Sequence, residues 1–292
     1  MLRGEHQYLN LVKKIIKNGF SEKGRNGNTL SLIGEQMRFS LKDNKIPLMT
    51  TKKLAWRSCL KELLWFVKGD TSNETLQKQN VKIWNDNASR EFLDSRGLSH
   101  LSENDLGPVY GHQWRFYNAK YFNSITDYEN KGIDQLQNII DGINDSKNSG
   151  ISSRRLILNA WNPQQINEMA LPPCHVLSQF FVQDDKLSCA LYQRSGDVGL
   201  GIPFNVASYS FLTHLLAKHC NLEANEFIHF IGNAHIYEDH INVLSDQTKR
   251  EPYEEPTIEI SEKRDNINDY IFKDFKIHNY KHDEPIKIDM RA

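Results

Sequence analysis

The segment Leu171-Pro172-Pro173-Cys174-His175 sets a cysteine directly behind two prolines. Proline fixes φ and has no amide donor, so the chain ahead of Cys174 is stiff and can hold one thiol in one place. A thiol attacks carbon only as thiolate, which needs positive charge nearby. A cysteine taken at random is more often an inert buried thiol, and the stiff setting shifts that balance without deciding it. A second group runs Tyr192-Gln193-Arg194-Ser195-Gly196-Asp197 and on through Gly199, Gly201, Pro203 and Asn205. Arginine offers a forked donor and glycines let a ligand approach the backbone, so a phosphate could sit here. An ordinary turn with a surface arginine is the alternative. If the strands carrying them are neighbours, Arg194 lies close to Cys174. The pair Arg154-Arg155, with Arg25 far upstream, becomes functional only around a shared anion; solvated or ion-paired surface arginines are the commoner case. In Gly232-Asn233-Ala234-His235-Ile236-Tyr237, a strand would turn His235 and Tyr237 to one side, where both could reach one hydroxyl. A satisfied core pair explains them equally well.

These residues need elements to hold them. Apolar spacing predicts helices over Tyr8–Ile16 (ended by Gly19), Leu54–Val67 (stopped by Gly69-Asp70), Ile133–Ile143 and Phe204–His219, the last being the most apolar. Strand patterns fall at Thr29–Phe39, Leu156–Ala160, Val176–Val182, Leu187–Tyr192 and Phe227–Ile231, with a short strand or two after Pro252. Gln183-Asp184-Asp185-Lys186 reads as a hairpin turn, and Ser95–Asp105 as an exposed polar insertion. Helices and strands mix without regular alternation, which predicts an α+β architecture in a single domain over 1–292.

The bulk numbers set limits. The 292 residues are 39% hydrophobic and 25% charged, enough for a sizeable core. Thirty-six basic residues against 37 acidic ones give no broad basic field, so general nucleic-acid binding is not expected. Cys59, Cys174, Cys189 and Cys220 are too sparse for a disulfide scaffold and fit neither a zinc site nor a redox pair, so no metal is expected. The first eight residues carry no apolar h-region, and no apolar run approaches the ~20 residues needed to span a bilayer. A soluble, cytoplasmic protein is the expectation.

Taken together, the motifs resemble those of thymidylate synthases, from Tyr8 to the last residues. The ordered landmarks are Glu62-Leu63-Leu64-Trp65-Phe66, Lys82-Ile83-Trp84, Gly107-Pro108-Val109-Tyr110-Gly111, Gln113-Trp114-Arg115, Ser153-Arg154-Arg155, Pro173-Cys174-His175, Tyr192-Gln193-Arg194-Ser195, Pro203-Phe204-Asn205 and His235-Ile236-Tyr237. The polar insertion before Gly107 is similar to that of the eukaryotic and large-virus forms. The resemblance implies a large mixed sheet flanked by helices, packed against the partner's sheet in a homodimer. It implies reductive methylation of dUMP to dTMP, with 5,10-methylenetetrahydrofolate giving carbon and hydride and leaving as dihydrofolate. Cys174 would attack carbon 6 of uracil, making carbon 5 nucleophilic. Arg194 would bind phosphate and favour the thiolate, with Arg25 and Ser195 sharing the phosphate, Gly196 and Asp197 lining the nucleotide, and Arg154 and Arg155 reaching across from the partner.

Asn205 can donate to uracil O4 and accept from N3–H, whereas cytosine presents the opposite pattern. The related deoxycytidylate hydroxymethylases carry aspartate there, so a pyrimidine deoxynucleotide hydroxymethylase is the rival enzyme, and a silent nucleotide- or RNA-binding protein the rival of another class. By the same resemblance, His235 and Tyr237 hold the 3′-hydroxyl, and Glu62 and Tyr110 handle protons around carbons 4 and 5. The folate side takes Asp197, Ile83, Trp84, Asn87, Leu200, Gly201, Arg291 and, at the glutamyl tail, Lys52. The chain departs from the family pattern at the Gly24–Thr29 loop, one residue shorter, at Asn85 in place of aspartate, and at the Arg291-Ala292 terminus.

Overall fold

The structure is a computed structural model describing residues 4–24 and 26–288, so the expectations placed on Arg25 and Arg291 lie outside the described residues. Its helices and strands run α1 (His6–Asn18), β1 (Phe20–Gly24), β2 (Gly27–Ser40), α2 (Trp56–Val67), α3 (Asn73–Gln77), α4 (Arg90–Ser95), α5 (Tyr110–Arg115) and α6 (Gln135–Ser149). They continue β3 (Ile157–Asn159), β4 (His175–Gln183), β5 (Lys186–Asp197), α7 (Gly201–His219), β6 (Glu223–Tyr237), α8 (Ile241–Gln247), β7 (Thr257–Ile260) and β8 (Phe275–His278).

A six-stranded sheet has the order β1-β2-β6-β5-β4-β3, with β7 and β8 forming a separate pair. Every neighbouring pair in it is antiparallel except β5 and β6. Parallel strands require a crossover, and α7 supplies it. This helix is apolar on nearly all sides and buried accordingly, from Ile202 to His219. The fold is the expected α+β class with a large mixed sheet flanked by helices.

Local chemistry explains where the elements begin and end. The turn between β4 and β5 is the expected hairpin; Asp184 and Asp185 hold φ of 47° and 57°, the left-handed pair that a tight turn requires. The third expected helix starts two residues late and runs six residues further, because its ends are set by caps. The Asp134 side chain accepts from Gln137 N, and Gly150 closes the other end at φ 69°. Strands β5 and β6 extend well beyond their apolar runs, through Arg194–Asp197 and Gly232–Tyr237. Ser95–Asp105 is not simply an exposed insertion. Leu98 and Leu101 are 2% and 3% exposed, and their carbonyls accept from the Arg90 guanidinium.

One face of the sheet meets α7 and the core. Across the other lies the row Gln36, Phe230, Tyr192 and Leu177, aligned by register over β2, β6, β5 and β4. Tyr192 and Phe230 are 44% and 41% exposed there.

Candidate active site

The strand directions bring the site together. Cys174 immediately precedes β4, while Arg194–Asp197 and His235–Tyr237 end β5 and β6. Since β4 runs against β5, and β5 with β6, the start of β4 and the ends of the other two share one edge of the sheet. The first turns of α7 add Asn205 to the same edge.

Arg194 is bound to the cysteine loop. Its backbone N donates to Cys174 O at 2.9 Å, Nε to Pro173 O at 2.9 Å, and Nη2 to Pro172 O at 3.0 Å. The guanidinium lies 5.7 Å from the Trp161 ring centroid. Its remaining N–H groups are available to an anion. Cys174 is half-buried, whereas Cys59, Cys189 and Cys220 are fully buried. Burial raises the Cys174 thiol above its ordinary range and the charge of Arg194 pulls it down, with burial the larger effect. The arginine therefore acts in the expected sense, but in the ligand-free pocket the cysteine is held as thiol.

Tyr110, at the start of α5, accepts at its hydroxyl from Cys174 N at 2.7 Å and His175 N at 3.4 Å. Burial raises its ionisation far above the usual phenol range, so it stays neutral. Glu62, on α2, accepts from Trp84 Nε1 at 2.7 Å. Burial lifts its carboxyl to about 7, and the indole opposes that only in part. A carboxyl poised near neutrality beside a fixed cysteine loop suits proton transfer.

Asn205 is oriented from behind. Its Oδ1 accepts from Gln193 Nε2 at 2.9 Å, and Gln193 Oε1 lies 2.8 Å from His229 Nε2. That use of Oδ1 turns the Asn205 NH2 group away from Gln193. Sequence reasoning assigned no role to Gln193, His229 or His175. The first two are polar residues at 2% and 0% exposure inside strands, a signal that emerges only once register is known. His175 packs its ring 5.1 Å from that of Tyr110 and is kept neutral by burial, its pKa near 4. Gly196 is needed where it stands, since a Cβ there would meet Ile202 Cδ1 at 2.4 Å and Gln193 Nε2 at 3.0 Å.

His235 and Tyr237 do face one side, their rings perpendicular with centroids 5.5 Å apart. Asp197 Oδ1 accepts from Gly199 N at 2.8 Å, and Leu200 and Gly201 follow as the opening of α7. Ser195 is half-buried near the end of β5. Lys52 is turned inward. It is 6% exposed and donates to Gly199 O at 2.6 Å, and burial lowers its ammonium to about 8. Ile83 and Asn87 flank Trp84 in the segment after α3, half-buried and 9% exposed respectively. The Oδ1 of Asn85 accepts from Asn73 Nδ2 and Gln77 Nε2 at 3.1 and 3.2 Å, so its carbonyl is directed at α3.

Arg154 and Arg155 stand apart from these groups. Both are exposed, and among the described residues neither guanidinium has a hydrogen-bond partner. Phe180 N donates to Leu156 O, which sets Arg155 beside Phe181, roughly 20 Å along β4 from Cys174. Within one chain they cannot serve this site. No cluster of His, Cys, Asp and Glu among the described residues could hold a metal ion, and no helix among them is long and apolar enough to cross a membrane.

A family model for thymidylate synthase matches residues 6–292. The bifunctional dihydrofolate reductase-thymidylate synthase of Plasmodium chabaudi is 49% identical over 289 residues, which are 99% of this chain and 49% of that protein. The Zea mays bifunctional protein is 47% identical over 98% of the chain and 54% of its own length. The chain thus spans about half the length of these curated relatives. Thymidylate synthase 1/2 of Encephalitozoon cuniculi is 47% identical over 291 residues, 99% of this chain and 97% of that protein. With a match over nearly its whole length, on a fold that gathers the cysteine, arginine and asparagine at one sheet edge, the chain belongs to the thymidylate synthase family.

Proposed function

We propose that this chain converts dUMP to dTMP by reductive methylation, as one domain over 1–292 acting in the cytoplasm. The observation that carries the proposal is the clamp of Arg194 on the Pro172-Pro173-Cys174 loop, which keeps a thiol and an anion-binding guanidinium side by side. The Cys174 thiol gives its proton to solvent, the charge of Arg194 favouring the thiolate, and Sγ adds to carbon 6 of uracil while the ring electrons move to O4, leaving carbon 5 nucleophilic. Glu62 can answer the charge growing at O4 because its carboxyl is part-protonated at neutrality. Tyr110 keeps the cysteine loop in place through two amides and retains its own proton. Asn205 reads the base with the NH2 group that Gln193 leaves free. The phosphate is held by Arg194 with Ser195 and Arg25, the nucleotide is lined by Gly196 and Asp197, and the sugar is held by His235 and Tyr237.

The one-carbon unit and the hydride come from 5,10-methylenetetrahydrofolate. An indole face at Trp84 and a carboxylate at Asp197 suit the flat, donor-bearing pterin, with Ile83, Asn87, Leu200, Gly201 and Arg291 around it and Lys52 towards the tail. Carbon 5 gives up its proton to solvent or a base of the site after it takes the one-carbon unit, and breaking of the Cys174 bond to carbon 6 then frees the methylated base and the thiolate. A homodimer supports the rest. The apolar row Leu177, Tyr192 and Phe230 offers a sheet face to a second copy, and Arg154 and Arg155 gain an anion only in the partner's site.

The test incubates the protein with 5-fluoro-dUMP and methylenetetrahydrofolate and maps the modified residue by mass spectrometry. An adduct on Cys174, with dihydrofolate absorbance rising when dUMP replaces the analogue, is the expected result. An adduct elsewhere, or turnover of dCMP without dihydrofolate as a hydroxymethylase would give, defeats the proposal.

A further inference from the structure

On the edge strand β1, every residue of which is exposed, Glu22 reaches inward across the sheet. Its Oε2 accepts from Ser31 Oγ at 2.7 Å and from Asn233 Nδ2 at 3.1 Å. Asn233 Oδ1 in turn lies 3.0 Å from His235 Nδ1. Ser31 pairs with His235 across β2 and β6, so one carboxylate on β1 is tied to the imidazole at the nucleotide edge. None of the steps described above uses Glu22 or Asn233.

The chain of donors and acceptors has one consistent direction. An ionised carboxylate can only accept, so Asn233 must turn its NH2 group to Glu22 and its carbonyl to the histidine. A carbonyl oxygen can only accept as well, so the proton of the ring must sit on Nδ1. Burial keeps the imidazole neutral by lowering its pKa, although Asp197, then the Asn233 backbone carbonyl, then Glu22 pull the other way; that carbonyl, like the side-chain oxygen, can only accept. A neutral ring protonated at Nδ1 presents a bare lone pair at Nε2. We infer that Glu22 and Asn233 are positioning residues that hold His235 as the Nδ1–H tautomer, so that its outer nitrogen only accepts and selects a sugar carrying a donor hydroxyl. The sugar half of this inference rests on the nucleotide reading; the tautomer half does not.

The two halves are tested separately. In ligand-free protein with 15N-labelled histidine, the His235 ring shows the Nδ1–H pattern at neutral pH, and Asn233→Ala converts it wholly or partly to Nε2–H. Ser31→Ala, which removes a different bond to Glu22, leaves the pattern unchanged. With ligand, the unsubstituted protein prefers dUMP over its 3′-fluoro-3′-deoxy analogue by roughly tenfold in KM, about the value of one hydrogen bond. Glu22→Gln, whose amide can flip and donate, reduces that preference at least about threefold while kcat for dUMP stays within about twofold. An Nε2–H ring in the unsubstituted protein, or an unchanged tautomer in Asn233→Ala, overturns the inference. So does an unchanged preference in Glu22→Gln. If dUMP is not a substrate at all, the nucleotide reading falls and the nitrogen spectra still decide the tautomer assignment.

Discussion

At the scale of single residues, the site depends on side chains held in one protonation state or one orientation. Asn205 is the clearest case, because Gln193 occupies one lone pair of its carbonyl and fixes which end of the amide faces the base. In Asn205→Asp the carboxylate still accepts from Gln193 but no longer donates to uracil O4. The ratio of kcat/KM for dUMP over dCMP should fall by about a hundredfold or more in a competition assay. Equal selectivity in the two proteins would refute the role given to the asparagine. Glu62 is governed by burial, which brings its carboxyl to about 7. If the protonated form assists at O4, kcat falls as pH rises through about 7. That limb disappears in Glu62→Gln, which cannot titrate, and a pH–rate profile with the limb intact would remove Glu62 from proton transfer.

At the scale of elements, the junction of β5 with α7 does most to keep these residues in place. Gly196 lets the strand end pack so closely on Ile202 and on the Gln193 amide that a Cβ would force Ile202 to shift and press on the amide. Gly196→Ala should cost about 1–3 kcal/mol in denaturant unfolding, from overpacking. It should also lower kcat, because the displaced Gln193 is the support of Asn205. Full activity at reduced stability would separate packing from positioning. The main elements were legible because their periodicities are strong: α1, α2, α7 and the cores of β2, β4, β5 and β6 follow their apolar runs. The short β1, α3, α4, α5 and α8 were not, being too brief to show a period and held by tertiary contacts. The ends of β5 and β6 escaped for a different reason. Arg194, Ser195, Asn233 and His235 continue the ladder with polar side chains that serve the site rather than the core.

At the scale of the whole molecule, an exposed sheet face around Tyr192 and Phe230 and the guanidinium groups of Arg154 and Arg155, roughly 20 Å along β4 from Cys174, have no partner among the described residues. The proposed homodimer would account for both. Cys174→Ser and Arg155→Ala should each be close to inactive alone, the first for want of a nucleophile. Mixed by unfolding and refolding together, they should recover activity, because in the mixed dimer one site pairs an intact cysteine with an intact arginine from the other subunit. Mixtures no more active than their components would show that Arg155 serves no partner.

The sequence by itself determined the chemistry available: a cysteine on a stiff proline loop, arginines enough for a phosphate, an asparagine suited to uracil, and an α+β pattern to carry them. The cysteine loop, the arginines and the α+β pattern follow from residue types and local periodicity, which are properties of short stretches of chain, whereas the match of the asparagine to uracil is what the family resemblance implies. Only the tertiary structure decided which of these groups meet. Strand order and register join Cys174 to Arg194, set Gln193 and His229 behind Asn205, turn Lys52 inward and link Glu22 to His235. Most of these contacts bring together residues far apart in sequence, and their distances depend on the pairing of whole strands, which no local pattern encodes.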